Sequence, residues 1–203
     1  MIRYPVDYNP IVEYYEKIKS KEIVVSQKVE RIYRKLVDDV YDDKSVYEYS
    51  PQRANHAIEF IENFCKHSKG TWGGKNIQLE LWQKAFIAAS FGFIHSVDGT
   101  RKYREILLVV ARKNGKSTIA SGIGLYLQVA DGEPGAEIYA VATKKDQAKL
   151  VWTDAKRMVT KSPALRKRIK PLVSELRADF NDSTFKPLGS DSETLDGLNV
   201  HGA

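Results

Sequence analysis

The run Ala111-Arg112-Lys113-Asn114-Gly115-Lys116-Ser117-Thr118 holds the residues whose types and spacing best suit chemistry. Backbone N–H groups in such a loop can turn inward around the phosphates of a nucleotide, and a helix opening at Lys116 presents its positive end to them. Lys116 supplies a point charge to the β and γ phosphates. Ser117 offers a hydroxyl to the Mg²⁺ that bridges them. Gly115 lets the backbone approach closely. Val110 stands where the first glycine of Gly-x-x-x-x-Gly-Lys-Ser/Thr would be, so the pattern is incomplete. The other reading of the run is a polar helix start with Lys116 in water.

The elements around the loop favour the first reading. Glu105-Ile106-Leu107-Leu108-Val109-Val110 is a continuous apolar run of strand length, and 116–130 reads as a helix with small residues at Ala120, Ser121, Gly122 and Gly124. Glu137-Ile138-Tyr139-Ala140-Val141-Ala142 is a second strand of the buried kind. Thr143 and Asp146 suggest a capping box opening a basic helix to about residue 160, stopped by Ser162-Pro163. Residues 172–177 and 184–188 flank Asn181-Asp182 as a hairpin. Upstream, Val25, Val29, Ile32, Leu36 and Val40 form one helical stripe. Ser50-Pro51 opens a second helix, with Ala54, Ala57, Ile58, Ile61, Phe64 and Cys65 on its apolar face. A third, 80–94, is apolar nearly all round, with Trp82 as a core residue. Residues 1–70 thus form a helical lead-in, and the alternation beyond it implies an α/β parallel sheet with flanking helices.

Composition narrows the class. The 203 residues are 42% hydrophobic and 29% charged, an ordinary globular mix. No apolar run is long enough to span a bilayer, so no membrane role is expected. One cysteine excludes an internal disulfide framework and points to the cytoplasm. The four histidines show no ligand spacing. The net charge of +6 is concentrated: 143–170 holds ten basic residues against Asp146 and Asp154. Lys149, Lys156 and Arg157 there are candidates for tracking DNA phosphates, and a solvated helix face is the equal alternative.

Together these motifs resemble the large terminase subunits, the DNA-packaging ATPases of tailed double-stranded DNA bacteriophages and prophages. Arg112-Lys-Asn-Gly-Lys-Ser-Thr118, with its missing first glycine, is similar to that family's deviant Walker A. Phe60-Ile-Glu-Asn-Phe-Cys-Lys-His-Ser-Lys-Gly70 and Leu79-Glu-Leu-Trp-Gln83 resemble its lead-in and adenine motif. Asp98-Gly-Thr-Arg101, Ala142-Thr-Lys-Lys-Asp-Gln-Ala148 and Leu195-Asp-Gly-Leu-Asn199 agree in order and spacing. The resemblance implies a P-loop NTPase of the additional-strand, RecA-like type, with 71–203 as the N-terminal part of the ATPase domain. It implies ATP and Mg²⁺ as cofactors, Gln83 on the adenine edge, and Arg112 as an arginine finger in cis beside Lys116.

By the same resemblance a Walker B strand ending in Asp-Glu follows Asn199, and a nuclease domain follows that. The expectation is a chain truncated before the Walker B strand, hydrolysing ATP slowly when alone. Implied partners are double-stranded DNA, the small terminase subunit, the portal protein of the procapsid and further copies of the subunit, all in the host cytoplasm. A small kinase and a non-hydrolysing nucleotide- or DNA-binding fragment are the alternatives.

Overall fold

The computed structural model describes residues 1–189 and 198–203. The motif ending at Asn199 therefore lies mostly outside the described residues. Two compact units interleave along the chain, Met1–Glu59 with Gln78–Val109 and Phe60–Ile77 with Val110–Ala203.

The first unit is largely helical. Asn9 caps α1 (Pro10–Lys19), its Oδ1 accepting from the N–H groups of Ile11 and Val12 at 3.1 and 3.3 Å. Ser26 caps α2 (Gln27–Val40). The expected stripe on α2 is turned: Leu36 is buried and Val25 and Val29 pack on Tyr14, Ile18 and Ala85, but Ile32 is 57% exposed. The face centres on Tyr33, whose ring meets Tyr14 edge-on at 4.7 Å. After β1 (Tyr47–Tyr49), α3 (Pro51–Phe64) opens at Ser50 as expected, the Arg53 N–H donating to its hydroxyl at 3.3 Å. In α4 (Leu81–Gly92) most of the second half is buried, and Trp82 packs partly buried on the same cluster. β2 (Phe93–His95) runs antiparallel to β1. Lys102 donates to Asp39 at 2.7 Å and lies over the rings of Tyr47, Phe93 and Tyr103.

Residues 105–110 form no strand, contrary to the sequence pattern. Ile106, Leu107 and Val109 are 50, 88 and 80% exposed. Branched apolar residues favour a buried strand, but strand formation also needs a neighbour for each N–H and C=O, and no described strand pairs with this run.

The second unit contains α5 (Lys116–Val129), β3 (Glu137–Ala142), α6 (Lys145–Lys161), α7 (Pro163–Arg166), β4 (Lys170–Pro171), β5 (Leu176–Ala178), β6 (Ser183–Gly189) and β7 (Val200–Gly202). Its sheet runs β4-β5-β6-β3-β7. β3 is parallel to both neighbours, while β5 is antiparallel to β4 and β6. The sheet is therefore mixed, not wholly parallel. Of the expected strand 172–177 only the last two residues are strand, the start of β5; 172–175 form the turn between β4 and β5, with Leu172 N–H donating to Glu175 O at 2.9 Å. The hairpin across Asn181-Asp182 is present, with Asp182 at φ 54°. The Thr143 capping box is not: Lys144 is the N-cap of α6, without a side-chain cap. Ser162 ends that helix and caps α7.

Two contacts seat the helices on the sheet. Trp152 Nε1 donates to Phe185 O at 3.0 Å. Gly124 lets α5 descend onto β6: a Cβ there would stand 2.7 Å from the Phe185 ring. Cys65 is fully buried in this unit, and burial pushes its thiol up to about 12. Among the described residues no helix is long and apolar enough to cross a membrane.

Candidate phosphate-binding site

The loop 111–118 bends through two left-handed residues, Lys113 at φ 69° and Gly115 at φ 75°. Gly115 is the N-cap of α5. Glycine accepts that conformation without cost, whereas Lys113 carries about 1–2 kcal/mol of backbone strain. Strain of this kind gathers where geometry serves a ligand. Asn114 braces the bend, its amide N–H₂ donating to the carbonyls of Ala111 and Arg112, both at 3.3 Å.

The first intrahelical bond of α5 runs from Ile119 N–H to Gly115 O at 2.9 Å. The N–H groups of Lys116, Ser117 and Thr118 therefore precede the helix's own ladder, at its positive end. Lys116 folds back across the loop, and its ammonium donates to Val110 O at 3.0 Å. Arg112, Lys113, Lys116 and Ser117 are all exposed. The Arg112 guanidinium has no carboxylate partner among the described residues. Orphan N–H groups, three cations and an exposed hydroxyl are a donor set suited to a Mg²⁺-bound polyphosphate.

One contributor was missed in the sequence. Ser121 reads there only as a small helix residue. In the structure its hydroxyl lies 2.7 Å from Ser117 O and 2.8 Å from Val151 O, tying the first turn of α5 to α6. The available signal is a serine four residues after Ser117 on a helix that must pack closely.

Gln83 lies in the first unit, on the first turn of α4, where its Oε1 accepts from Glu80 N–H at 3.0 Å in a reciprocal capping box. The three DNA candidates on α6 are each engaged within the second unit. Lys149 pairs with Asp146 at 3.2 Å, Arg157 with Asp154 at 3.4 Å, and Lys156 donates to Leu172 O while stacking on Trp152 at 4.9 Å. They share no single stripe, since Arg157 follows Lys156 directly and so lies about 100° round the helix.

Residues 81–201 match the family model for the terminase large subunit, ATPase domain. The chain belongs to the terminase large-subunit family. It is similar to the large terminase subunit of Enterobacteria phage HK97, at 30% identity over 149 residues, covering 72% of this chain and 28% of that protein. The crystal structure of the HK97 bacteriophage large terminase aligns with a TM-score of 0.61 at 28% identity, over 73% of this chain and 29% of that one. The chain thus spans under a third of the length of these relatives. The family is one of ATPases, which removes the kinase alternative. The mixed sheet with its helices is similar to that of the HK97 enzyme.

Proposed function

We propose that these residues form the nucleotide-binding part of an ATPase motor that packages double-stranded DNA into phage procapsids. The observation that carries the reading is the loop 111–118, bent through Lys113 and Gly115 so that the orphan N–H groups of α5 and the Lys116 ammonium meet at one helix start. Mg²⁺–ATP, when bound, brings the transferable phosphoryl group. The N–H groups of Ala111, Arg112, Lys113, Asn114, Gly115 and Thr118 cradle phosphate oxygens alongside those of Lys116 and Ser117. Lys116 would turn from the Val110 carbonyl to a phosphate oxygen, and the Ser117 hydroxyl would help hold Mg²⁺. Arg112 neutralises charge that develops on transfer. Gln83 reads the adenine edge, giving up its bond to Glu80 to do so. In this reading the fold belongs to the RecA-like NTPases.

In this reading the motor acts in the host cytoplasm on double-stranded DNA, as several copies of the subunit, with the small terminase subunit and the portal as partners. Titration of Mg²⁺–ATP into wild type and Lys116→Ala tests the site. Equal affinities sink it.

A further inference from the structure

Residues 66–76 form a closed loop in the second unit. Lys66 bridges to Asn76, His67 N–H donates to Lys75 O, and Gly74 N–H donates to His67 O, both at 2.9 Å. The Asn76 amide anchors the base of the loop on the carbonyls of Glu62 and Asn63 at 3.1 and 3.2 Å. Its other side is fastened to α6. Lys161 donates to Ser68 O at 2.9 Å, and the Ser68 hydroxyl donates to Asp154 at 3.1 Å. A Cβ on Gly73 would stand 3.3 Å from the Lys161 ammonium, so that cation lies against the loop.

At the tip, Trp72 is 60% exposed. An indole usually seeks cover, and a fastened loop that shows one to solvent presents it to a partner. The groups around it are cationic. Lys75 lies 4.8 Å from the centre of the indole, and Lys69, Arg157 and Lys161 flank the loop's contact with α6. Two of these four, Lys69 and Arg157, pair with Asp154, whose side chain is only 17% exposed and also accepts from Ser68. The outward surface is positive with one flat apolar ring.

We propose that the loop 66–76 and the adjoining edge of α6 form a contact site for the sugar–phosphate backbone of DNA. Lys69, Lys75 and Lys161 meet phosphates, and the Trp72 indole packs on a deoxyribose or an unpaired base. Charge complementarity selects a polyanion over a protein partner. The inference rests on the packaging reading but uses none of its phosphate-loop residues. It also gives Arg157 a different setting from Lys149 and Lys156, which lie away from the loop on α6.

The test is fluorescence anisotropy of a labelled random-sequence 30-mer duplex with residues 1–203, from low to moderate salt. Trp72→Ala is expected to weaken binding about fivefold with the salt slope unchanged, the low end for an aromatic stacked on a nucleotide. Trp72→Phe keeps a ring and restores most of the affinity. Lys69→Gln with Lys75→Gln flattens the log–log salt slope by about two. Lys116→Ala leaves DNA affinity as it was while weakening ATP, which separates this site from the nucleotide reading. Duplex binding that none of the loop variants alters overturns the inference and leaves the motor reading standing. Failure of the wild type to bind duplex also overturns it, and then Trp72 is a protein-docking residue. Melting curves of each variant show that the loop changes leave the fold intact.

Discussion

At its first turn α5 holds the N–H groups of Lys116, Ser117 and Thr118 outside its own ladder and exposes a lysine and a hydroxyl. At its last turn Gln128 is fully buried, and its amide nitrogen donates to Leu176 O at 2.8 Å and Ser183 O at 3.4 Å. The Gln128 backbone carbonyl in turn accepts from the Asn181 amide at 2.9 Å and lies 2.8 Å from the Ser183 hydroxyl, while the side-chain Oε1 is buried without a hydrogen-bond partner. One end of the helix is left wanting partners while the other has almost all its polar groups matched inside the protein. Buried hydrogen bonds set the helix on the sheet; unmatched exposed donors are what a ligand can use. The same helix separates stability from binding along its length.

That separation can be broken by exchanging the two effects. Lys116→Ala should weaken Mg²⁺–ATP by about 1.5–3 kcal/mol, the worth of a charge-assisted contact, and leave the melting temperature unchanged. Nucleotide titration beside a thermal melt checks both halves; a destabilised Lys116→Ala would show that the loop end is structural. Gln128→Leu should do the reverse, costing about 2 kcal/mol of stability by leaving Leu176 O and Ser183 O unmatched, with ATP affinity retained in the folded fraction. Urea denaturation measures the loss. A smaller effect is expected at Lys113→Gly, which relieves the left-handed strain and should stabilise by about 0.5–1 kcal/mol after glycine's own entropic cost.

The smallest effect is a pH dependence at Tyr139 on β3. Burial, then the hydrogen bond to Glu137 at 3.0 Å, holds the Tyr139 phenol up to about 12. The folded state therefore favours the protonated phenol. Its contribution is complete below the unfolded value near 10 and is lost as pH rises from there towards about 12. Denaturation at pH 9 and pH 11 should show this decline in wild type, and a shallower one in Tyr139→Phe.

Two six-residue runs show how far the sequence was legible. Residues 105–110 and 137–142 have the same length and similar composition. The second pairs along its whole length with β6 and near its start with β7, and is a strand. The first has no described neighbour and is not. Composition records what a strand would gain from burial; it does not say whether a partner edge is present. The start of α3 was legible because its cap, Ser50, is local, and Ser162-Pro163 was legible as the end of α6; that Ser162 also caps α7 was not read. The start of α6 was missed because Thr143 offers the right atom but Lys144 occupies the cap position. The bend that opens α5 was legible because Gly115, Lys116 and Ser117 fall within one turn. The engagement of Lys149, Lys156 and Arg157 was hidden: Leu172 is far from Lys156 along the chain, and neither Asp146 nor Asp154 declares its pairing by charge alone.

Cys65 has a practical corollary. A thiol with no exposed surface and so little thiolate at neutral pH reacts slowly with maleimides and disulfide probes while the second unit stays folded. It is also the chain's single cysteine. The wild-type sequence is therefore close to a blank background for site-directed labelling. A dye or spin label introduced through Trp72→Cys would report the tethered loop alone, and one through Thr118→Cys would report the opening turn of α5, with no native cysteine to remove first.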